Sequence, residues 1–301
     1  MSKKIVSLVL TLLLVCSMTA AFAQEAPITV TDMYDRTFTL DQPADRIVAL
    51  TAADCEILCA LGCEEKLVGR GAYCDYPASI QQITVVQSGA ETNLEEILAL
   101  DPQVVLMGDM AQAKEVVLAL EDLGIKVAVS DANSIAEVFE AIRMIGAIAG
   151  ADEQAEKLIA DMQSTFDEIT AKSLKSEQTI YFEVSPLQYG LWTAGSNTFM
   201  NELATMCGLT NAFTDVDGWG AVSEEQVLAR DPDVIVTIAM YFGEGPTPVE
   251  EILGRTGWQG MKAVAGQKVF NANSDSISRP GPRLKDAALE LYGFLYGENA
   301  E

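Results

Sequence analysis

This sequence contains an internal repeat that sets strong limits on its fold. Residues 92–106 (TNLEEILALDPQVVL) align without gaps on residues 222–236 (VSEEQVLARDPDVIV), which lie 130 positions later. Six of the 15 aligned positions are identical, and three more exchange one aliphatic residue for another. The repeat predicts that a structural unit in the first half of the chain occurs again in the second half. With only two copies, a solenoid of stacked repeats is not expected.

Each copy of the repeat predicts a short helix followed by a buried strand. Asn93 and Ser223 stand where a helix N-cap is expected. Glu96 and Gln226 follow three residues later, which is the pattern of a capping box. An Asp-Pro pair then ends each helix, because proline disfavours helical backbone at the residue before it. An apolar run follows in both copies and predicts the strand.

Strands and helices alternate in both halves of the chain, after a short hairpin predicted over residues 28–40. The first half is predicted to contain strands at 46–50, 104–107 and 126–129, and helices at 53–61, 114–123 and 135–150. The second half is predicted to contain strands at 179–184, 234–238 and 269–271, and helices at 198–207, 249–253 and 283–296. This alternation indicates parallel sheets that are covered by helices on both faces.

A long amphipathic helix is predicted between the two halves, over residues 151–174. Its apolar residues recur every three or four positions, and the run contains no Gly or Pro. The predicted fold class is therefore α/β, with two similar parallel-sheet lobes joined by one long connecting helix. The N-terminal α/β lobe is placed at residues 28–150 and the C-terminal α/β lobe at residues 177–297.

The first 23 residues have the organisation of a secretory signal peptide. Lys3 and Lys4 precede an apolar run, and Ala21-Phe22-Ala23 forms a small-x-small cleavage site before Gln24. An alternative is cleavage before Cys16, with attachment of a lipid to that cysteine. Both interpretations predict an exported protein, located in the periplasm or on the outer face of the cytoplasmic membrane.

The composition excludes several classes of function. The chain has 19 Lys and Arg against 44 Asp and Glu, a formal net charge of −25. Nucleic acids and anionic membranes are therefore not expected partners, because both are recognised by clustered cations. The chain contains no histidine. This excludes a Ser-His-Asp or Cys-His catalytic set, an HExxH zinc site and a haem held by imidazole.

Five cysteines remain after removal of the signal peptide: Cys55, Cys59, Cys63, Cys74 and Cys207. An odd number leaves at least one thiol without an intramolecular partner. The sequence leaves three interpretations open, namely small buried apolar side chains, a disulfide and a metal site.

Two similar lobes predict a cleft between them, which is a favoured position for small-molecule sites. Export, acidity and the lack of histidine favour a binding protein over an enzyme. Two other functions stay open. An exported enzyme, such as a hydrolase of siderophore esters, would need a nucleophile and a base, and the chain has no GxSxG motif. A signalling or adhesion module would bind a small ligand without serving a transporter.

Several motifs resemble those of one family of transport proteins. They are Arg46-Ile-Val-Ala-Leu50, Val68-Gly69 with Tyr73-Cys-Asp-Tyr-Pro77, both repeat copies, Thr193-Ala-Gly-Ser196, Cys207-Gly208, Asn211-Ala-Phe213 and Ser278-Arg-Pro-Gly-Pro-Arg283. Over about residues 28–297, the chain resembles the substrate-binding proteins of ABC importers for iron–siderophore complexes and vitamin B12. The resemblance implies a monomer that captures a ferric-siderophore or corrinoid ligand in the cleft and delivers it to a permease dimer. It implies no enzymatic activity, no cofactor and no metal site of the protein's own.

The resemblance also implies a role for one glutamate in each repeat copy. In the family, a glutamate on each lobe docks onto arginines of the permease, and the matching residues are Glu95 and Glu225. Two acidic groups related by pseudo-two-fold symmetry suit a symmetric basic receptor. The alternative is that each glutamate only complements the dipole of its helix.

A ligand pocket is implied by further matches to the vitamin B12-binding member of the family. Tyr73, Trp192 and Trp219 match aromatic pocket residues, and Asp275 and Arg279 match a polar pair. Flat rings suit a macrocycle or a catecholate, and an arginine suits an anionic group. Core packing is the alternative for each aromatic residue. Weaker candidates are Arg70, Tyr189, Tyr241 and Arg283.

Two departures from that protein leave the ligand open. Gly89 stands where it has a tryptophan, and Ser278 stands where it has an acidic residue. Haem bound through tyrosine is another candidate. A bare zinc or manganese ion is not expected, because binders of these ions in the broader superfamily typically use histidine ligands.

Overall fold

The computed structural model of the chain describes residues 26–89, 92–108 and 114–297. The predicted signal peptide over residues 1–23 and the alternative lipid site at Cys16 lie outside the described residues. Within the described residues, no helix is long and apolar enough to cross a membrane.

The N-terminal lobe is built on five parallel strands. They are β3 (Ile47–Ala49), β4 (Leu67–Gly71), β5 (Val85–Val86), β6 (Val104–Met107) and β7 (Lys126–Val129). Their spatial order is β5–β4–β3–β6–β7. The predicted hairpin precedes them as antiparallel β1 (Ile28–Thr31) and β2 (Thr37–Leu40). The helices of this lobe are α1 (Ala52–Ala60), α2 (Leu94–Ala99), α3 (Lys114–Asp122) and α4 (Ile135–Ala149).

The C-terminal lobe is built on four parallel strands. They are β8 (Thr179–Glu183), β10 (Thr210–Asn211), β12 (Val234–Thr237) and β13 (Val269–Asn271), in the order β10–β8–β12–β13. A separate antiparallel pair is formed by β9 (Trp192–Ala194) and β11 (Trp219–Ala221). The helices are α6 (Phe199–Met206), α7 (Glu224–Arg230), α8 (Pro248–Gly254), α9 (Lys262–Ala265), α10 (Ser274–Ser278) and α11 (Leu284–Tyr296).

The predicted connecting helix is observed as α5 (Asp152–Lys172). It buries one stripe of residues spaced four and three positions apart: Ala155, Ile159, Met162, Phe166 and Ile169. This stripe belongs to a hydrophobic cluster that also contains residues from the facing sides of both sheets, such as Leu106 and Val236. The two lobes therefore share one hydrophobic cluster, and α5 packs one face against it.

The repeat occupies equivalent places in the two lobes. Val104 pairs with Ile47 of β3, and Val234 pairs with Ile180 of β8, so the repeated strand lies beside the first strand of each parallel sheet. Asp101 and Asp231 adopt the same left-handed backbone, with φ of 46° and 45°. The prediction of two similar parallel-sheet lobes joined by a long helix is confirmed.

Some local features differ from the predictions, and two of them have a clear cause in the sequence. Ser223 and Gln226 form the expected capping box, whereas Glu96 accepts a hydrogen bond from the backbone N–H of Gln87 instead of that of Asn93. The first copy therefore has an N-cap without the reciprocal bond. Strand β4 was not predicted, because its sequence Leu-Val-Gly-Arg-Gly lacks both an apolar run and clean alternation.

Candidate ligand-binding cleft

Residues at the carboxyl ends of the parallel strands line two neighbouring cavities. The first, of about 210 Å³, lies between the lobes, with Thr51, Gly108 and Ser130 on one wall and Arg279 and Pro280 on the other. The second, of about 630 Å³, lies beyond the ends of β8 and β12 in the C-terminal lobe. Helix α10 contributes residues to both cavities. We call the two cavities together the cleft, and their position is the usual one for ligands of open α/β sheets.

Another cavity, of about 490 Å³, lies at the opposite edge of the C-terminal sheet. It is lined by Gln178 and Lys268, which precede β8 and β13, and by Phe294. It therefore lies at the amino ends of the strands and is lined only by the C-terminal half of the chain.

Large aromatic side chains of both lobes are exposed near the strand ends. Tyr73, which follows β4, is 84% exposed, and Trp192 at the start of β9 is 45% exposed. In the larger cavity, Tyr189 and Phe242 are 78% and 86% exposed, and Tyr241 is 46% exposed. The three rings of the larger cavity form a cluster of exposed apolar groups, and such clusters mark binding surfaces. Tyr73 and Trp192 line neither cavity.

Trp219 occupies a different environment from the other two predicted aromatic residues. Its indole N–H donates to Asn133 Oδ1 of the N-terminal lobe at 3.2 Å, and its ring packs against Phe199 at 5.4 Å between centroids. The structure therefore places Trp219 as a contact between the lobes. Its side chain is only partly buried, so one edge stays available to the solvent.

The predicted polar pair Asp275 and Arg279 forms an ion pair, with Arg279 Nη2 at 2.8 Å from Asp275 Oδ1. Arg279 Nη1 also donates to Glu56 Oε1 at 2.9 Å and to Asp75 Oδ1 at 3.0 Å, both in the N-terminal lobe. The Arg279 side chain is 15% exposed. Its charge is therefore already balanced by three carboxylates, although Arg279 still lines the interlobe cavity.

Glu56 is the centre of this polar contact between the lobes, and the sequence did not single it out. Its side chain is 2% exposed, and it also accepts two hydrogen bonds from Arg283, at 2.7 Å and 2.6 Å. The Arg283 guanidinium lies 4.2 Å from the centre of the Tyr76 ring. The spacing of 223 and 227 positions between Glu56 and its partners explains why no local pattern revealed it.

Asp54 lies at the floor of the interlobe cavity, in the first turn of α1. Its carboxylate accepts hydrogen bonds from the hydroxyls of Thr51 and Ser130, each at 2.5 Å. Burial raises the pKa of Asp54 to about 6, although these two hydrogen bonds act in the opposite direction. Asp54 is also a residue that sequence reasoning missed, because an acidic first-turn residue is common in helices.

The remaining candidate arginine, Arg70, points away from the solvent. It is buried and donates to the backbone carbonyls of Ile80, Cys74 and Gln81. Arg70 therefore braces the loop that carries Tyr73 and offers no free charge to the cleft. Phe242 and Met240 were also missed, although they follow the second repeated strand and thus lie where ligand-contacting loops are expected.

The two predicted docking residues occupy matching positions on the surface. Glu95 and Glu225 are each the second residue of a helix, α2 and α7, and both are exposed. Hydrogen bonds from its own backbone N–H and from the Ser223 hydroxyl lower the pKa of Glu225. Each helix leads into the repeated strand, so its N-terminus lies at the edge of the sheet where the strands end.

The five cysteines of the described residues are unpaired, and four of them are buried. A hydrogen bond with the Cys74 thiol, together with burial, raises the pKa of the Cys55 thiol well above its ordinary value. Within the described ranges, no group of three or more Cys, Asp or Glu side chains is arranged to hold a metal ion. Of the three interpretations left open by the sequence, these findings favour the one in which the cysteines are small buried apolar side chains.

Comparison with known proteins assigns the chain to a family. A family model described as periplasmic binding protein matches residues 47–276. An uncharacterized ABC transporter substrate-binding lipoprotein of Bacillus subtilis is 32% identical over 277 residues, which cover 90% of this chain and 86% of that protein. A vitamin B12-binding protein of Salmonella choleraesuis is 31% identical over 257 residues, covering 84% of this chain and 90% of that protein.

Solved structures have the same architecture. A protein of Staphylococcus epidermidis, described as a possible iron-binding (periplasmic solute-binding) protein, has a TM-score of 0.73 and 29% identity. The match covers 85% of this chain and all of that one. The periplasmic vitamin B12-binding protein of Vibrio cholerae has a TM-score of 0.71 and 25% identity, covering 84% and 97% of the two chains.

Proposed function

Since the chain belongs to the periplasmic binding protein family, we propose that it captures an iron–siderophore or corrinoid-type ligand in the cleft and delivers it to the permease of an ABC importer. Members of this family are substrate-binding transport proteins and not enzymes, in agreement with the expectation from the sequence. The chain needs no cofactor for this function, because the metal arrives and leaves inside its ligand.

The observation that carries the proposal is the set of exposed rings at the carboxyl ends of both sheets. Tyr73 belongs to the N-terminal lobe, and Tyr189, Trp192 and Phe242 belong to the C-terminal lobe. A flat ring offers a large, rigid apolar face at a small entropic cost. Such faces suit the extended surface of a macrocycle or a metal chelate better than a small polar solute.

The relatives support both ligand classes. The Salmonella protein is named for vitamin B12, and the Staphylococcus protein is described as possibly iron-binding. The departures at Gly89 and Ser278 argue against a direct transfer of vitamin B12 specificity. The proposal therefore covers corrinoids and iron–siderophore complexes together.

Delivery assigns a role to the repeat. We propose that the exposed carboxylates of Glu95 and Glu225 dock onto basic residues of a permease dimer while the protein is a monomer. We also propose export, followed either by cleavage after Ala23 or by lipid attachment at Cys16. The relative from Bacillus subtilis is named a lipoprotein, which supports attachment to the outer face of the cytoplasmic membrane as an alternative to a free periplasmic form.

Calorimetric titration of the protein without residues 1–23 tests the proposed capture. The probes are cyanocobalamin, cobinamide, haem, and ferric hydroxamate and catecholate complexes. We expect at least one of them to bind, and we expect Tyr73→Ala and Phe242→Ala each to weaken binding by about tenfold, as for the loss of a buried aromatic contact.

Leu289→Ala is the matched control, because Leu289 is an exposed apolar side chain within α11 and not in a loop that follows a parallel strand. This variant should bind like the parent protein. Absence of binding by every probe, or equal effects of all three variants, would contradict the proposed function.

A further inference from the structure

The charged side chains around the cleft indicate the net charge of the ligand. Arg279 lines the interlobe cavity, Arg255 pairs with two carboxylates that line the larger cavity, and Arg283 shares Glu56 with Arg279. Arg255 is buried behind the larger cavity, where it donates to Glu183 at 2.6 Å and to Glu251 at 2.6 Å. Arg279 and Arg283 are the interlobe pair described above. Each guanidinium is therefore already in contact with at least one carboxylate.

The carboxylates in these contacts outnumber the arginines. The three guanidinium groups face five carboxylates: Glu56, Asp75, Glu183, Glu251 and Asp275. Three positive and five negative charges leave a net charge of −2. Arg70 is not counted here, because it is buried within the N-terminal lobe and lines neither cavity of the cleft.

The larger cavity adds a further negative charge. Its charged lining consists of Glu183, Glu244 and Glu251, and no Lys or Arg of the described chain lines it. Glu244 is exposed, and no described residue forms a hydrogen bond or an ion pair with it. Its carboxylate is therefore available to a ligand.

The apolar lining favours the same kind of ligand. Tyr189, Tyr241 and Phe242 present rings to the larger cavity, and the face of an aromatic ring carries negative partial charge. A cationic group is attracted to such a face and a neutral apolar group can pack on it, whereas an anion is repelled by the rings and by the carboxylates. The carboxylates and the rings of the lining therefore both favour a cationic or neutral ligand over an anionic one.

From this arrangement, and resting on the proposed function, we propose that the cleft selects metal chelates of zero or positive net charge and discriminates against anionic chelates. Neutral and cationic corrinoids and ferric hydroxamates meet this condition. Ferric tris-catecholates, which are trianionic, and haem, which carries two propionates, do not. The proposal thus divides the ligand classes by charge and not by the identity of the metal.

A titration with chelates of different charge tests this selection. The cationic probes are ferrioxamine B and cobinamide, the neutral probes are ferrichrome and cyanocobalamin, and the anionic probes are ferric enterobactin and haem. We expect the tightest neutral or cationic probe to bind at least about tenfold more tightly than either anionic probe. Added salt should weaken the binding of a cationic probe more than that of a neutral one.

A charge reversal at one position provides a second test of the charge selection. Glu244→Lys should lower the ratio of the dissociation constant of an anionic probe to that of a cationic probe by about tenfold, because it places a cation in the larger cavity. Glu168→Lys is the control, since it changes the net charge equally from an exposed position on α5.

Two outcomes separate the two proposals. Tightest binding of an anionic probe, or equal effects of Glu244→Lys and Glu168→Lys, would overturn the charge selection while leaving the proposed capture of a chelate intact. Absence of binding by all six probes would overturn the proposed function, and the charge selection with it.

Discussion

The carboxylate of Glu56 and the guanidinium of Arg283 form a two-point hydrogen bond across the boundary of the lobes, although 227 positions separate the two residues. The N–O distances are 2.7 Å and 2.6 Å, and the Glu56 side chain is almost fully buried. Arg279 donates to the same carboxylate. One acidic side chain thus joins α1 to the segment that connects α10 with α11.

We expect Glu56→Gln to lower the free energy of unfolding by about 3 kcal/mol, because it leaves two largely buried arginines without their shared counter-charge. Urea denaturation followed by circular dichroism measures this change. Asp215→Asn is a suitable control, because it breaks an Arg230 pair whose carboxylate is largely exposed, and such pairs contribute little. Equal losses in the two variants would show that Glu56 has no special structural role.

The buried carboxyl of Asp54 should make stability depend on pH. Its pKa is raised by burial to about 6, so between about pH 4 and pH 6 the folded protein holds a proton that the unfolded chain releases. Ionising the buried carboxyl of Asp54 lowers the free energy of unfolding. This loss is absent below about pH 4 and fully developed above about pH 6. It amounts to about 3 kcal/mol at neutral pH.

Asp54→Asn removes this cost and should become more stable relative to the parent protein as the pH rises from about 4 to about 7. Urea unfolding of both proteins at several pH values gives the difference directly. A difference that stays constant, or that falls with rising pH, would rule out a raised pKa at Asp54.

Reversal of the docking carboxylates should separate transport from binding. We expect Glu95→Lys combined with Glu225→Lys to reduce ligand uptake by at least about tenfold, since basic receptor groups would then face lysines. The dissociation constant of the ligand should not change. Uptake into vesicles that contain the permease and its ATPase, together with calorimetry of the free protein, measures both quantities.

The control for this pair is Glu168→Lys combined with Glu177→Lys. Both residues are exposed, and the double variant has the same net charge as the docking variant. If the two double variants transport equally well, Glu95 and Glu225 do not form the docking site.

The four buried thiols and the partly buried thiol of Cys59 should resist alkylation in the folded protein. Burial raises the pKa of Cys207 to about 12, and burial with neighbouring Glu64 and Glu56 raises that of Cys59 to about 12. Iodoacetamide attacks the thiolate, so both should react slowly near pH 8. For the protein without residues 1–23, mass spectrometry should find five alkylated cysteines after unfolding without a reducing agent. Three alkylated cysteines would instead reveal a disulfide.

The sequence predicted most of the fold because its signals were local. The repeat located β6 and β12 and the helices before them, since the Asp-Pro pair and the apolar run act within a few residues. Several short strands were not predicted, because they contain too few residues for a local signal. Trp192–Ala194 is only three residues long, and its pairing with Trp219–Ala221 depends on a distant segment.

The cleft could be predicted only in part. The resemblance implied that Tyr73 and Trp192 line the ligand pocket. Both are exposed near the strand ends but line neither cavity, and their role in ligand binding stays a prediction. Arg279 was expected to offer its charge to a ligand, and the structure pairs it with carboxylates, including Glu56, 223 positions away. Single-sequence patterns carry no information about such partners, because the fold alone brings them together.

The hydrophobic cluster shared by the two lobes and α5 has a thermal consequence. One face of each sheet packs on this cluster, so melting of either lobe would expose the apolar face of the other, and we expect the two lobes to melt together. Heating should therefore give a single calorimetric peak whose van't Hoff and calorimetric enthalpies agree. A molecule held by the rings of one lobe would then raise the melting temperature of the whole chain, which makes a simple thermal shift a sensitive reporter of occupancy.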